Sequence, residues 1–342
     1  MKRRFVLVLL VSMVAFVMGF LSIGWAKVVA KVLEGVYVLP VAELATTKTH
    51  PEVIKVENEL MEVTIIPNRG RVLSSYLFKG EESGSFFYQE LVPKPMILPN
   101  GLHVVEFGGY YLSLPWNDRD RQPFDLSFTL TRQEEDFAEV LLSGRDLFRK
   151  TLTECWVRVR EGSPIVEVEI GITNLSKNET KTLSFRDFAV LNVDEDCLLA
   201  LPVETLKVVE SRNDWFGKPG LTLRWPATLV NWSSIKDYIR FVTESSLALP
   251  LVALVYPSRN IAFVKWWEPR EVFSNCEVWS WGQSWVDEPG AGAYIVVSNV
   301  FNNLALKPQE RVFFKVYLTV LEKVSQDVPL QEMWDRSRLL LR

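Results

Sequence analysis

The sequence predicts an all-β sandwich that ends in one short helix. Three observations carry that prediction. Apolar and polar residues alternate with period two in segment after segment between Val53 and Glu322. Turns containing Gly, Pro or Asn separate those segments, and helix-like spacing is confined to the residues after Val328. No internal repeat or low-complexity tract interrupts the pattern, and an all-β fold of this length is commonly one domain.

The chain has 342 residues and opens on Lys2, Arg3 and Arg4, followed by an apolar run from Phe5 to Ala26 that closes on Gly24-Trp25-Ala26. A basic start, an apolar core and small residues at the end form a secretory signal. The run also approaches the roughly 20 residues that span a bilayer, so a retained anchor stays open beside a cleaved signal. Export is expected either way, to a periplasmic, extracellular or surface-tethered location, with residues 5–26 as a membrane tether if retained. Residues 27–52 read as an edge strand and a polar linker, and 53–342 as the β domain.

Within that domain, Met61, Val63 and Ile65 alternate with Glu62 and Thr64 until Pro67. Asn68-Arg69-Gly70-Arg71 turns the chain, and Val72 to Phe78 leads back. The clearest hairpin is central. Cys155, Val157 and Val159 alternate with Glu154, Trp156, Arg158 and Arg160. Glu161-Gly162-Ser163-Pro164 turns, and Val166, Val168, Ile170 and Ile172 return to Asn174. Arg158 and Arg160 face Glu167 and Glu169 across the strands, on what reads as ordinary exposed sheet surface. Further strands are expected at 183–193, 251–256, 261–267, 277–281, 293–300 and 311–322, and a terminal helix over 329–341. Trp266 and Trp267 cannot both face one way, so one is expected in the core and the other exposed or lining the cleft.

The formal charge is −4, and without the three basic residues of the leader it is −7. That argues against a nucleic-acid partner, which requires a basic surface. The three cysteines, Cys155, Cys197 and Cys276, are far apart and allow at most one disulfide; they read as small buried hydrophobes. There is no CxxC, nucleophile elbow, phosphate loop or dinucleotide fingerprint, so neither a metal nor a cofactor is expected.

The stretch with most chemistry is Phe107 to Phe124, FGGYYLSLPWNDRDRQPF. Paired glycines in a strand admit a second backbone or a ligand closely. Pro115 then breaks the strand into a loop bearing Trp116, Asn117, Asp118, Arg119, Asp120 and Arg121. An indole beside amides, carboxylates and guanidinia suits a sugar, although an aromatic turn with solvated charges is the plainer account of this stretch alone.

Three segments together resemble the galactose-mutarotase-like superfamily, in its bacterial branch of domains without assigned activity. They are Val56 to Leu77 (VENELMEVTIIPNRGRVLSSYL), Val157 to Asn174 (VRVREGSPIVEVEIGITN) and Cys276 to Gln283 (CEVWSWGQ). The resemblance spans roughly residues 53–322 and implies a β-supersandwich with a sugar cleft on one concave face. Gly108-Gly109 and Pro115 match a Gly-Gly strand of that group. Tyr111 stands where relatives keep Glu, Ser113 where they keep Asn, and Val296 where a late strand often carries Glu. Both carboxylates are gone.

Glu277, Trp279 and Trp281 fall on one side of a period-two strand, the most site-like grouping late in the chain; an aromatic core stripe with Glu277 at its rim is the alternative. The expected ligand is a mono- or oligosaccharide, bound by Arg71, Trp116, Asn117, Asp118, Trp279 and Trp281. Arg71 belongs to a turn that the resemblance makes a fixture, where it can equally hold the loop. The alternative function is an aldose 1-epimerase with Glu277 or Asp118 as base and His103 as acid, since mutarotases similar to this fold use Glu with His. A third is a structural envelope protein that binds nothing.

Overall fold

The computed structural model describes residues 28–33, 53–67, 71–80, 84–87, 96–97, 103–104, 109–113, 126–147, 149–194, 196–211, 217–226, 230–231, 239–244, 247–268, 275–281 and 294–341. The amino-terminal apolar run, most of the linker to residue 52, and the loop bearing Trp116, Asn117 and Asp118 lie outside these residues.

Among the described residues, two large antiparallel sheets form a sandwich. One has eleven strands. In spatial order they are β1 (Val29–Leu33), β2 (Val53–Glu57), β3 (Met61–Ile66), β4 (Arg71–Phe78), β7 (Gly109–Ser113) and β12 (Lys181–Asn192), then β21 (Tyr294–Leu306), β20 (Asn275–Trp281), β17 (Ile239–Thr243), β14 (Thr205–Ser211) and β15 (Thr222–Arg224). The other has nine strands. Their order is β16 (Val230–Asn231), β13 (Leu198–Ala200), β18 (Leu251–Tyr256), β19 (Ile261–Trp267), β22 (Arg311–Glu322), β11 (Ile165–Asn174), β10 (Thr151–Arg160), β9 (Phe137–Asp146) and β8 (Ser127–Gln133). A separate ribbon pairs β5 (Met96–Ile97) with β6 (His103–Val104). A helix, α1, runs Leu330–Leu339.

The main core lies between the sheets and follows from alternation. In β10, Thr151, Thr153, Cys155, Val157 and Val159 are buried while the residues between them are only partly covered. The inward side chains of β11, Val166, Val168, Ile170 and Ile172, join the same core. Each such burial is worth about 1.5–3 kcal/mol for a full-sized aliphatic side chain. The three cysteines are free and buried.

Two asparagines tie the turns together. Asn58 donates from Nδ2 to the carbonyls of Arg160 (2.6 Å) and Ser163 (2.7 Å), while its Oδ1 accepts from the Leu60 and Met61 amides. It thereby knots the β2–β3 turn to the turn of the central hairpin, and the Tyr76 hydroxyl adds a bond to the carbonyl of Pro164 in that hairpin turn. Asn174 donates to the carbonyls of Glu179, Leu306 and Lys307. These buried side chains satisfy backbone carbonyls that would otherwise be lost from water.

A second, smaller core lies on the far side of the nine-stranded sheet, where α1 packs. Met333 and Trp334 are buried, Trp334 meets Trp266 edge-on at 5.6 Å, and Trp266 stacks on Tyr317 at 4.1 Å. The two adjacent tryptophans do face opposite ways, but neither is exposed: Trp266 lies under the helix and Trp267 between the sheets, at 0% and 4% exposure. The helix creates the second interior that makes this so. No helix among the described residues is long and apolar enough to cross a membrane.

Candidate functional site

The centre of the eleven-stranded sheet sets β7, β12, β21, β20 and β17 side by side. Their alternate residues Tyr110, Leu112, Ala189, Val297, Val278 and Phe241 enter the inter-sheet core. The residues between them therefore point to the opposite face. Cross-strand pairing aligns Arg71, Tyr111, Phe188, Ser298 and Glu277 in a single row, with Val190, Val296, Trp279 and Arg240 in the next.

On this face Tyr111 stacks on Phe188 at 4.7 Å with the planes 13° apart, and Phe188 meets Trp279 edge-on at 5.6 Å. The guanidinium of Arg240 sits 5.7 Å from the Trp279 ring centroid. Beside the rings stands an ion cluster. Arg186 donates from Nη1 to Glu277 Oε2 at 2.5 Å, and Arg240 donates to the same oxygen from Nη2 at 2.9 Å and Nε at 3.1 Å. Glu210 lies 3.4 Å from Arg240 Nη1. The Ser298 hydroxyl is buried and has no hydrogen-bond partner among the described residues.

Glu277 and Trp279 are each 5% exposed. Glu277 is therefore not a carboxylate at a solvated rim, as its place at the end of an aromatic stripe suggested. Nor is Trp279 part of either hydrophobic core. The face reaches solvent at its margins, at part-exposed Tyr111 and at the half-exposed carboxylate of Glu210.

The other candidate residues are placed less fully. Arg71 begins β4 directly across from Tyr111, and Trp281 ends β20 across from Tyr294; their side chains lie outside the described residues. The backbone of His103 belongs to the small ribbon and to neither large sheet. Trp116, Asn117 and Asp118 are outside the described residues altogether. Among the described residues, no group of three His, Cys, Asp or Glu side chains could hold a metal ion.

Neither arginine is among the site residues that the sequence predicts. Arg186 was visible beside Asp187, and period two alone puts the two on opposite faces. Arg240 was visible as a charge between Ile239 and Phe241. What could not be seen was that strands so far apart in sequence converge on Glu277.

No family model matches the chain, and no curated protein matches it in sequence. Solved structures do match. A TPR-domain containing protein from Parabacteroides distasonis superposes with a TM-score of 0.65 at 15% identity, over 89% of this chain; the chain spans 55% of that protein. A protein provisionally classed as an aldose 1-epimerase, from Klebsiella pneumoniae, gives 0.59 at 11% identity over 92% of this chain and 88% of its own. One provisionally classed as a mutarotase, from Salmonella typhimurium, gives 0.55 at 13% identity over 83% and 97%.

The fold is galactose-mutarotase-like.

Within this mutarotase-like fold, two of the positions singled out by the resemblance come together. Tyr111 and Val296 belong to the face just described, and the backbone of Ser113 pairs with Arg186. Val296 sits across from Trp279 and is 1% exposed. At Tyr111 and Val296 the face carries an aromatic and an aliphatic residue, and its described carboxylates are the doubly clamped Glu277 and, at the margin, Glu210.

Proposed function

We propose that this chain is an exported domain that recognises a saccharide on the aromatic and charged face of its larger sheet. The observation that carries the reading is the Arg186–Glu277–Arg240 cluster abutting the Tyr111–Phe188–Trp279 row on a sheet face turned away from the core. Ring faces stack against the CH groups of a sugar, and guanidinium, carboxylate and hydroxyl groups exchange hydrogen bonds with its hydroxyls. The mutarotase-like fold adds to the case without deciding it, because one fold hosts many functions. Arg71, Trp116, Asn117, Asp118 and Trp281 complete the site in this proposal, and the basic start followed by residues 5–26 supports export.

Recognition is favoured over turnover by the state of Glu277. Its Oε2 already accepts from two guanidinia, which leaves Oε1 alone to take a proton and holds the carboxylate as an ion-pair partner. The likeness to the Klebsiella protein supports the second reading, an aldose 1-epimerase with Glu277 or Asp118 as base and His103 as acid.

Protein recovered from the exported fraction is expected to retain at least one saccharide on a glycan array. Trp279→Phe and Trp116→Ala should each lower retention about tenfold while thermal melting shows the fold intact. Proton exchange spectroscopy on a panel of aldoses should show no anomeric interconversion above buffer. Acceleration would install the epimerase, and a folded protein that retains no glycan and turns over no aldose would leave only a scaffold. Absence from the exported fraction would remove the export part.

A further inference from the structure

Directly behind the aromatic and charged face, on the core side of β12, lies a second ionic cluster. Asp187 and Lys265 are 0% and 1% exposed, and they pair at 2.7 Å across the space between the two sheets. Asp187 Oδ1 also accepts the backbone amide of Asn299 in β21 at 2.7 Å, and Oδ2 accepts the hydroxyl of Tyr110 in β7 at 2.9 Å. One carboxylate thus holds β7, β12 and β21 together and fastens them to β19 of the opposite sheet.

Replacing a buried ion pair by apolar residues of similar size is often neutral or stabilising, so this pair is not explained by stability. Its position offers another explanation. Arg186 and Phe188 flank Asp187 in β12 and project to the other face, where they meet Glu277, Trp279 and Tyr111. Across the strand pair, Asn299 is likewise flanked by Ser298, which stands in the same outer row. Any slip or tilt of β12 against β21 would move Arg186 relative to Glu277 by a sizeable part of a hydrogen-bond length.

We propose that Asp187 and Lys265 are positioning residues for the outer face: they fix β12 so that Arg186 and Phe188 meet Glu277 and Trp279 in one geometry. The pair acts through the strand and touches no ligand. This inference rests on the saccharide reading for its functional consequence, but its geometric content stands without a ligand.

The test uses the full chain labelled with fluorotryptophan, the Trp279 resonance being assigned by its disappearance in Trp279→Phe. In the double variant Asp187→Leu/Lys265→Met the chain is expected to fold with a lowered melting temperature, because the Tyr110 hydroxyl and the Asn299 amide lose their acceptor. The Trp279 resonance should shift and broaden as the face loses its single arrangement, and retention on the glycan array should fall at least tenfold. If that variant does not fold, Asp187→Asn/Lys265→Met keeps an acceptor for Tyr110 and the Asn299 amide but cuts the tie to β19, and serves the same comparison. An unchanged Trp279 resonance in a folded variant would overturn the proposal. A parent that retains no glycan but whose Trp279 resonance responds as expected would overturn the saccharide reading and leave the positioning role in place.

Discussion

Gly109 shows how a single residue can limit the sheet that carries the site. Its φ is +103°, and a Cβ built there would come 2.4 Å from the carbonyl oxygen of Leu73 in β4. Gly80 has a similar φ of +104° with nothing within 4 Å. Both positions strain an L side chain, but only the first also collides with backbone. Gly109→Ala is therefore expected to cost about 2–4 kcal/mol and Gly80→Ala about 1 kcal/mol, read by urea unfolding. Equal losses would show that the approach of β4 is not the constraint. A close approach at this glycine, by a second backbone or a ligand, was legible in the sequence, and the neighbour is the backbone of β4. Less was legible at Glu277. Period two placed it beside Trp279, but its partners Arg186 and Arg240 lie 91 and 37 residues away. No local pattern encodes such distances.

At the scale of elements, the strands that alternate cleanly were the legible ones. The edges of β10 and β22 fall where the alternation starts and stops and those of β18 and β19 where continuous apolar runs do, whereas β14 and β17 carry charges that break either pattern. The outer face of the β9–β10–β11 sheet was read as exposed surface with two separate ion pairs. Instead Arg158, with a side chain 16% exposed, gathers Glu139, Glu167 and Glu169, while Arg160 lies over the ring of Phe137 at 4.8 Å. Burial pushes the carboxyls of Glu139 and Glu167 up, but hydrogen bonds from Arg158, Thr131 and Lys315 outweigh it and hold both below their ordinary 4.5. A depressed carboxyl contributes stability above its unfolded value and loses it as pH falls through the folded one. Stability should therefore fall below about pH 4.5. Arg158→Met is expected to cost about 1–3 kcal/mol at pH 7 and to flatten the decline between pH 5 and 3, as followed by urea midpoints. An equally steep acid decline in the variant would locate the titration elsewhere.

For the whole molecule, a sandwich was legible because alternation says which side chains turn inward, while the order of strands is a matter of which distant segments meet. Thus β12 lies between β7 and β21, from opposite ends of the domain. The helix adds a third layer that alternation alone does not reveal. Strands β18 and β19 are buried on both faces, and the reason is α1, which covers Trp266, Tyr317 and Leu321 with Met333 and Trp334. If that layer is part of the cooperative fold, Trp334→Ala should lower stability by about 3–5 kcal/mol, the usual loss for an aromatic truncated in a packed core. It should also let a hydrophobic dye bind, because Trp266 and Tyr317 lose their cover. If the helix is only an appendage, urea unfolding of the variant will show an early dye-binding step followed by a main transition at the parental midpoint. One transition, displaced as a whole, is the expected result, since Tyr317 lies in β22, which also supplies Phe314, Val316 and Leu318 to the core between the sheets.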